Sequence, residues 1–319
     1  MSAAALARAR ASASAEYESM TSSDVLDAAY DNGLACKAML GAWKAQCQLI
    51  SQAERAAAPP ELLDLPYGQG TKDERIDFFP AATGAATAPT LLYLHGGYWH
   101  MDNPKTNNAF IAVALRKAGV NVAIVEYAGL PNPEPSPLSV QCTQVLAAVD
   151  FVASGLASQQ LPGDPKKLVV AGHSAGGHLT GVCALHPATR GKLAGALCIS
   201  MISDLEPLRR HSYFNLSLAE AGRRLIEPQD VEAWSPLALI PPADADAALP
   251  PIVAAVGGDE LPELVRQTRD LHAACAAQGH HRVTPLVVEG KSHFDVLDGL
   301  AQGDGPLFAH ACALLGTSL

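Results

Sequence analysis

Gly172-His173-Ser174-Ala175-Gly176 is a G-x-S-x-G pentapeptide set between an apolar run, Leu168–Ala171, and a helical pattern, Gly176–Leu185. A serine between glycines in a Gly-rich turn can arise by chance; a strand before it and a helix after it give it a chemical meaning. Such a turn is sharp and strained, and glycine lets strand and helix approach while Ser174 projects its hydroxyl above the sheet. A serine hydroxyl is a poor nucleophile near neutral pH, so it needs a base, and the base needs a carboxylate to orient it.

In this architecture the partners follow the serine in the order acid, then histidine, on loops after later strands. Gly257-Gly258-Asp259-Glu260 follows the run Pro251–Val256, and Glu289-Gly290-Lys291-Ser292-His293 follows Val283–Val288. Loops at the carboxyl ends of strands are where an open α/β sheet collects its functional groups. Asp259 is the preferred acid. Glu260 is the alternative, with a competing role as first residue of the next helix, where it would favour the dipole. Of the eleven histidines, His293 has the right order and context. His173 sits inside the pentapeptide, His178 on the following helix, and His280–His281 in a polar turn.

The stretch Leu91–His100, "LLYLHGGYWH", leaves a strand through His95 and two glycines. An oxyanion formed at Ser174 needs preorganised donors, one from the Ala175 N–H and the others from a glycine-rich loop after an earlier strand. Gly96–Gly97 lets that backbone approach a substrate with no Cβ in the way.

Together, the His-Gly-Gly loop, the G-x-S-x-G turn and the acid/His pair resemble the α/β-hydrolase superfamily and its hormone-sensitive-lipase-like esterases. His95-Gly96-Gly97-Tyr98-Trp99 with Gly172-His173-Ser174-Ala175-Gly176-Gly177 is similar to the kynurenine formamidases (arylformamidases), which hydrolyse N-formylkynurenine to kynurenine and formate in tryptophan catabolism. The likeness runs from about Asp24 to the end and includes "LDAAYDNG" and "ISDLEPL". It implies a triad of Ser174, Asp259 and His293, and an oxyanion hole of Gly96, Gly97, Tyr98 and Ala175. The implied substrate is a small aryl amide or ester, with no cofactor and no metal. The same triad would serve a carboxylesterase, carbamate hydrolase or other amidase, and an inactive binding protein on this fold is the non-enzyme alternative. Trp99, Tyr213, Phe214 and Phe294, with Tyr98, are candidate pocket walls, whereas Tyr127 reads as core. Ser203–Asp204 can bind an ammonium, although an Asp opening a helix more often caps it.

The elements that must position these groups alternate. Strands are expected at Arg75–Phe79, Thr90–Leu94, Val120–Tyr127, Leu168–Ala171, Gly195–Ser200, Pro251–Val256 and Val283–Val288. Helical patterns lie at Asn107–Ala118, Leu138–Ala157, Gly176–Leu185, Glu260–Gln278 and Phe294–Leu315. This predicts an α/β fold of the α/β-hydrolase type, a mostly parallel sheet with helices on both faces. One domain spans 21–319, with an N-terminal helical segment over about 22–58 and a helical cap insert over about 203–249, where no strand is legible. Residues 1–20, rich in Ala and Ser and carrying Arg8 and Arg10, read as a disordered extension, with a targeting segment as the alternative.

Composition narrows the function classes. The 319 residues are 49% hydrophobic and 17% charged, enough apolar material for a large core. A net charge of −10 without basic runs argues against nucleic acid as a partner. No uncharged apolar window approaches the ~18 residues of a membrane span, so no membrane partner and a cytoplasmic location are expected. The seven cysteines are scattered without a C-x-x-C pair and read as buried hydrophobes in a reducing compartment. A homodimer is compatible with the sequence.

Overall fold

The computed structural model describes residues 33–99, 103–129, 137–210, 226–242 and 249–317. Among them an eight-stranded sheet runs in the order β1-β2-β4-β3-β5-β6-β7-β8. The strands are β1 (Leu65–Pro66), β2 (Arg75–Phe79), β3 (Thr90–Leu94), β4 (Asn121–Val125), β5 (Leu168–His173), β6 (Gly195–Ile199), β7 (Ile252–Gly257) and β8 (Val283–Val288). β2 lies antiparallel to β1 and β4, while β3 to β8 run parallel. The expected mostly parallel sheet is present, and only the two-residue β1 lacked a hydrophobic pattern to announce it.

β3, β4, β5 and β6 are buried along their whole length, as strands covered on both faces must be. Alternate residues enter opposite cores. Leu92 and Leu94 of β3 join Val170, Leu179 and Leu271 on one face; Leu91 and Tyr93 join Leu115, Val169 and Leu307 on the other. Helices α3 (Pro137–Ala157), α4 (Ala175–Leu185) and α8 (Pro262–Ala277) cover the first face, and α1 (Gly33–Ala56), α2 (Ala112–Lys117) and α10 (Gly305–Leu315) the second. α3 is long and apolar enough by composition to cross a bilayer. Here Cys142, Val145, Val149 and Val152 bury one side of it in the first core.

Helix boundaries moved where side chains or prolines intervene. The pattern at Asn107–Ala118 resolves into 3₁₀ turns, Lys105–Asn107 and Ala109–Ile111, before α2; the Asn108 amide donates to the Pro104 carbonyl at 2.9 Å and interrupts a continuous helix. α8 begins at Pro262 rather than at Glu260, because Pro lacks the N–H that an interior position needs and suits the first turn. The final helical pattern breaks at Gly303, φ 84°, into α9 (Asp298–Gln302) and α10. Of the expected cap, α5 (Leu205–Arg210), α6 (Pro228–Trp234) and α7 (Pro236–Leu239) are described. Of the N-terminal segment α1 is described; residues 1–20 lie outside the described residues.

A chain of charges joins the N-terminal helix to the sheet and on to the loop after β3. Arg55 of α1 donates to Asp77 of β2 at 2.6 Å, and the buried Lys105 ammonium lies 2.7 Å from the same carboxylate and 2.5 Å from Asp64. The Lys105 backbone N–H donates to Glu126 at 2.9 Å, and Glu126 accepts from His95 Nε2–H at 3.2 Å. Asp77 is fully buried. Removing it would leave the Lys105 ammonium buried beside a single, partly exposed carboxylate. Asp77→Ala is therefore expected to destabilise the fold by ~3–5 kcal/mol, read as a lower midpoint in denaturant unfolding.

Candidate active site

Parallel register brings the loops together. Leu94 pairs with Gly172, His173 with Ile199, Ile199 with Ala255, and Gly257 with Val288. The carboxyl ends of β3, β5, β6, β7 and β8 therefore lie side by side along one edge of the sheet. From that row emerge the His95–Trp99 loop, Ser174, Ser200, Glu260 and His293.

Ser174 sits between β5 and α4 at φ 57°, ψ −120°, the strained turn expected of it. Its N–H donates to the Ile199 carbonyl at 2.9 Å. A Cβ on Gly176 would overlap the Leu94 carbonyl oxygen, and one on Gly96 would come within 2.8 Å of the His173 carbonyl oxygen. Glycine at these two positions is what allows α4 and the loop after β3 to close on the serine.

His293 Nε2 lies 3.1 Å from Ser174 Oγ, and His293 Nδ1 lies 3.0 and 3.1 Å from the two oxygens of Glu260. With Nδ1–H donating to the carboxylate, Nε2 is left as the acceptor for the serine proton. All three residues are buried. The sequence preferred Asp259 here, and the structure places it elsewhere. Asp259 is exposed, its backbone N–H donating to the Lys291 carbonyl at 2.9 Å. The chain turns through Gly257–Gly258 on leaving β7, and the next residue to face inward is Glu260, ahead of α8 and not within it. Burial would raise the Glu260 carboxyl, but His293, the Ser200 hydroxyl and the Leu261 N–H hold it below the usual carboxylate range.

Two other histidines support this array. His173 Nε2–H donates to the His293 carbonyl at 2.6 Å; burial, together with the neighbouring His293, pushes its pKa down to about 3. His178, one turn beyond Ser174, accepts from the Trp99 indole N–H at 3.3 Å and donates through Nε2–H to the Trp234 carbonyl at 2.9 Å. Burial lowers its pKa to about 4, so it stays neutral and bridges the β3 loop to the cap. Nothing in the pentapeptide motif itself announces either role.

The loop after β3 has positive φ at three successive residues: Gly97 at 130°, Tyr98 at 50° and Trp99 at 60°. For the two aromatics this costs ~1–2 kcal/mol each, and neighbouring hydrogen bonds hold it. The Gln141 amide donates to the Trp99 carbonyl at 2.8 Å, Asn103 to the Gly96 carbonyl at 3.0 Å, and the Tyr127 hydroxyl to the His95 carbonyl at 2.5 Å. Tyr127 also stacks on His95 with centroids 4.4 Å apart, so it braces the loop as well as filling core.

Tyr98, Trp99, Ser174, Ala175 and His293 line one pocket with Ile202, Leu208, Leu261 and Leu264. Phe294 is not among these walls. It packs edge-on to the His293 ring at 5.0 Å and against Trp43 of α1 at 5.9 Å, because the 3₁₀ turn after His293 carries it toward the N-terminal helix. Asp204 accepts from the Glu206 N–H at 3.0 Å as a cap of α5, and Ser203 donates to Gln267. Tyr213 and Phe214 lie outside the described residues.

Residues 91–294 match the family described as the alpha/beta hydrolase fold. The chain is 30% identical to a kynurenine formamidase of Salmo salar over 81% of its own length and 83% of the relative's. It is 26% identical to a kynurenine formamidase of Danio rerio, over 85% and 87%. In solved structures its fold resembles an esterase of Pyrobaculum calidifontis, with a TM-score of 0.64 at 20% identity, covering 92% of this chain and 97% of the other.

The geometry separates the two acidic neighbours. Glu260→Gln should slow fluorophosphonate labelling of Ser174 by ~10⁴-fold, since an amide cannot hold His293 in the same tautomer. Asp259→Asn should label at the wild-type rate; the reverse pattern would return the role to Asp259.

Proposed function

Because the chain belongs to the alpha/beta hydrolase fold family, a family of hydrolases, we propose that it is a serine hydrolase using Ser174, His293 and Glu260, with an arylformamide as substrate. The observation that carries this reading is the continuous line from Ser174 Oγ through the His293 ring to the Glu260 carboxylate, at 3.1 and 3.0 Å.

In this reading His293 Nε2 takes the Ser174 proton as Oγ attacks the carbonyl carbon, and the imidazolium is held by Glu260. Backbone N–H groups of Gly97, Tyr98 and Ala175 receive the oxyanion, with Gly96 keeping the approach open. His293 then protonates the departing arylamine as the C–N bond breaks, leaving a formyl ester on Ser174. Water, deprotonated by the same imidazole, attacks that ester; formate leaves and the serine recovers its proton.

Two features favour a formyl group. The kynurenine formamidases are relatives over four-fifths of the chain. The walls beside Ser174, Trp99, Leu208, Leu261 and Leu264, are apolar, and a formyl group, with only hydrogen beyond its carbonyl, asks for no polar partner from them. Trp99 and Tyr98 are the aromatic surfaces available to an aryl leaving group.

Steady-state hydrolysis of N-formyl-L-kynurenine tests the substrate, with p-nitrophenyl acetate alongside and Ser174→Ala as control. Wild type should turn over the formamide, and Ser174→Ala should lose at least ~10³-fold of that rate. A wild-type rate on the formamide no faster than the mutant's, with ester hydrolysis retained, would replace the formamidase reading with an esterase one.

A further inference from the structure

Glu260 has one more rotatable bond than an aspartate in the same place, so its carboxylate needs more restraint to face His293 steadily. The structure supplies it from the end of β6. Ser200 is fully buried, and its hydroxyl donates to Glu260 Oε2 at 2.7 Å while the Leu261 N–H donates to Oε1 at 2.9 Å. Each carboxylate oxygen thus has one fixed donor in addition to His293 Nδ1, and the plane of the group is set. Ser200 holds a φ of 47°, and its N–H donates to the Ala255 carbonyl of β7 at 2.7 Å. A non-glycine residue keeps such a conformation where its surroundings over-determine it. It is also the residue at which the chain leaves the sheet for the cap.

We propose that Ser200 is a positioning residue for the hydrolytic reaction, its hydroxyl locking the Glu260 carboxylate against His293 so that a glutamate can serve as the acid. The inference rests on the Ser174–His293–Glu260 reading and deepens it. A carboxylate that loses this donor becomes both less fixed and more basic, so it stabilises the His293 imidazolium more strongly and holds the imidazole in place less well. Among the described residues His173 also faces this pair, its ring 4.7 Å from that of His293 and already neutral through burial, while Asp295 on the turn after β8 accepts from the Ser292 hydroxyl and N–H. The reactivity of Ser174 requires the unprotonated His293 ring as its acceptor, so its acid limb reads the protonation of the array that Ser200 would restrain.

The test is the pH dependence of fluorophosphonate labelling at Ser174, which reads the array without requiring the natural substrate, in wild type, Ser200→Ala and Ser200→Gly. Glycine adopts φ 47° freely, so it removes the hydroxyl while relieving the backbone. Both variants should label ~10-fold more slowly, as expected for losing a hydrogen bond to a charged group. The acid limb of both should move up by ~0.5–1 pH unit. Recovery of the wild-type rate in Ser200→Gly, or a slower rate with an unmoved limb, would overturn the proposal and leave Ser200 a backbone role only. If wild type itself is not labelled, the serine-hydrolase reading has failed, and that outcome is distinct from equal labelling of all three proteins.

Discussion

The ring of His293 is where the fold's separate parts meet. Through its two nitrogens it touches Ser174, 119 residues earlier, and Glu260, 33 residues earlier, while its own carbonyl is held by His173. None of these contacts is local. They exist because β5, β7 and β8 belong to one parallel sheet in one register, so that the loops they release start from a common edge. A slip of one residue in any of those strands would turn its side chains to the opposite core. The two apolar cores that fix the register are thus also what fix the distances of the site.

Along that edge the backbone is strained in a consistent way. Tyr98, Trp99, Ser174 and Ser200 all carry positive φ without being glycine; the first three line the pocket, and Ser200 holds the Glu260 carboxylate that meets His293. The strain is offset by buried hydrogen bonds from residues far away in sequence: Gln141 and His178 on Trp99, Ile199 on Ser174, Ala255 on Ser200. The site is therefore preorganised by groups that have no chemistry of their own to perform. The neutral His178 is a clear case, since only an unprotonated ring can accept from the indole and donate to the Trp234 carbonyl at once.

Support also comes from the N-terminal helix. Arg55, Asp77, Lys105 and Glu126 form a relay of charge-assisted contacts ending on His95, while Trp43 packs on the Phe294 that flanks His293. The helix ahead of the sheet thus braces both the loop after β3 and the turn after β8. Phe294, read from sequence as a pocket wall, belongs to this bracing.

The sequence by itself determined the sheet-and-helix order, the serine at its strand-to-helix turn, the histidine after the last strand and the glycine-rich loop after β3. These are legible because each depends on local pattern: period-2 and period-3.6 hydrophobicity, and glycines that a close approach requires. Tertiary structure decided which of two adjacent carboxylates meets the imidazole. Asp259 and Glu260 are indistinguishable by order along the chain, and only the turn out of β7, with Pro262 delaying the helix, sends one outward and the other in. It also decided the partners of that carboxylate, since Ser200 lies 60 residues away in no motif, and a hydrogen bond between two loops leaves no periodic trace in either.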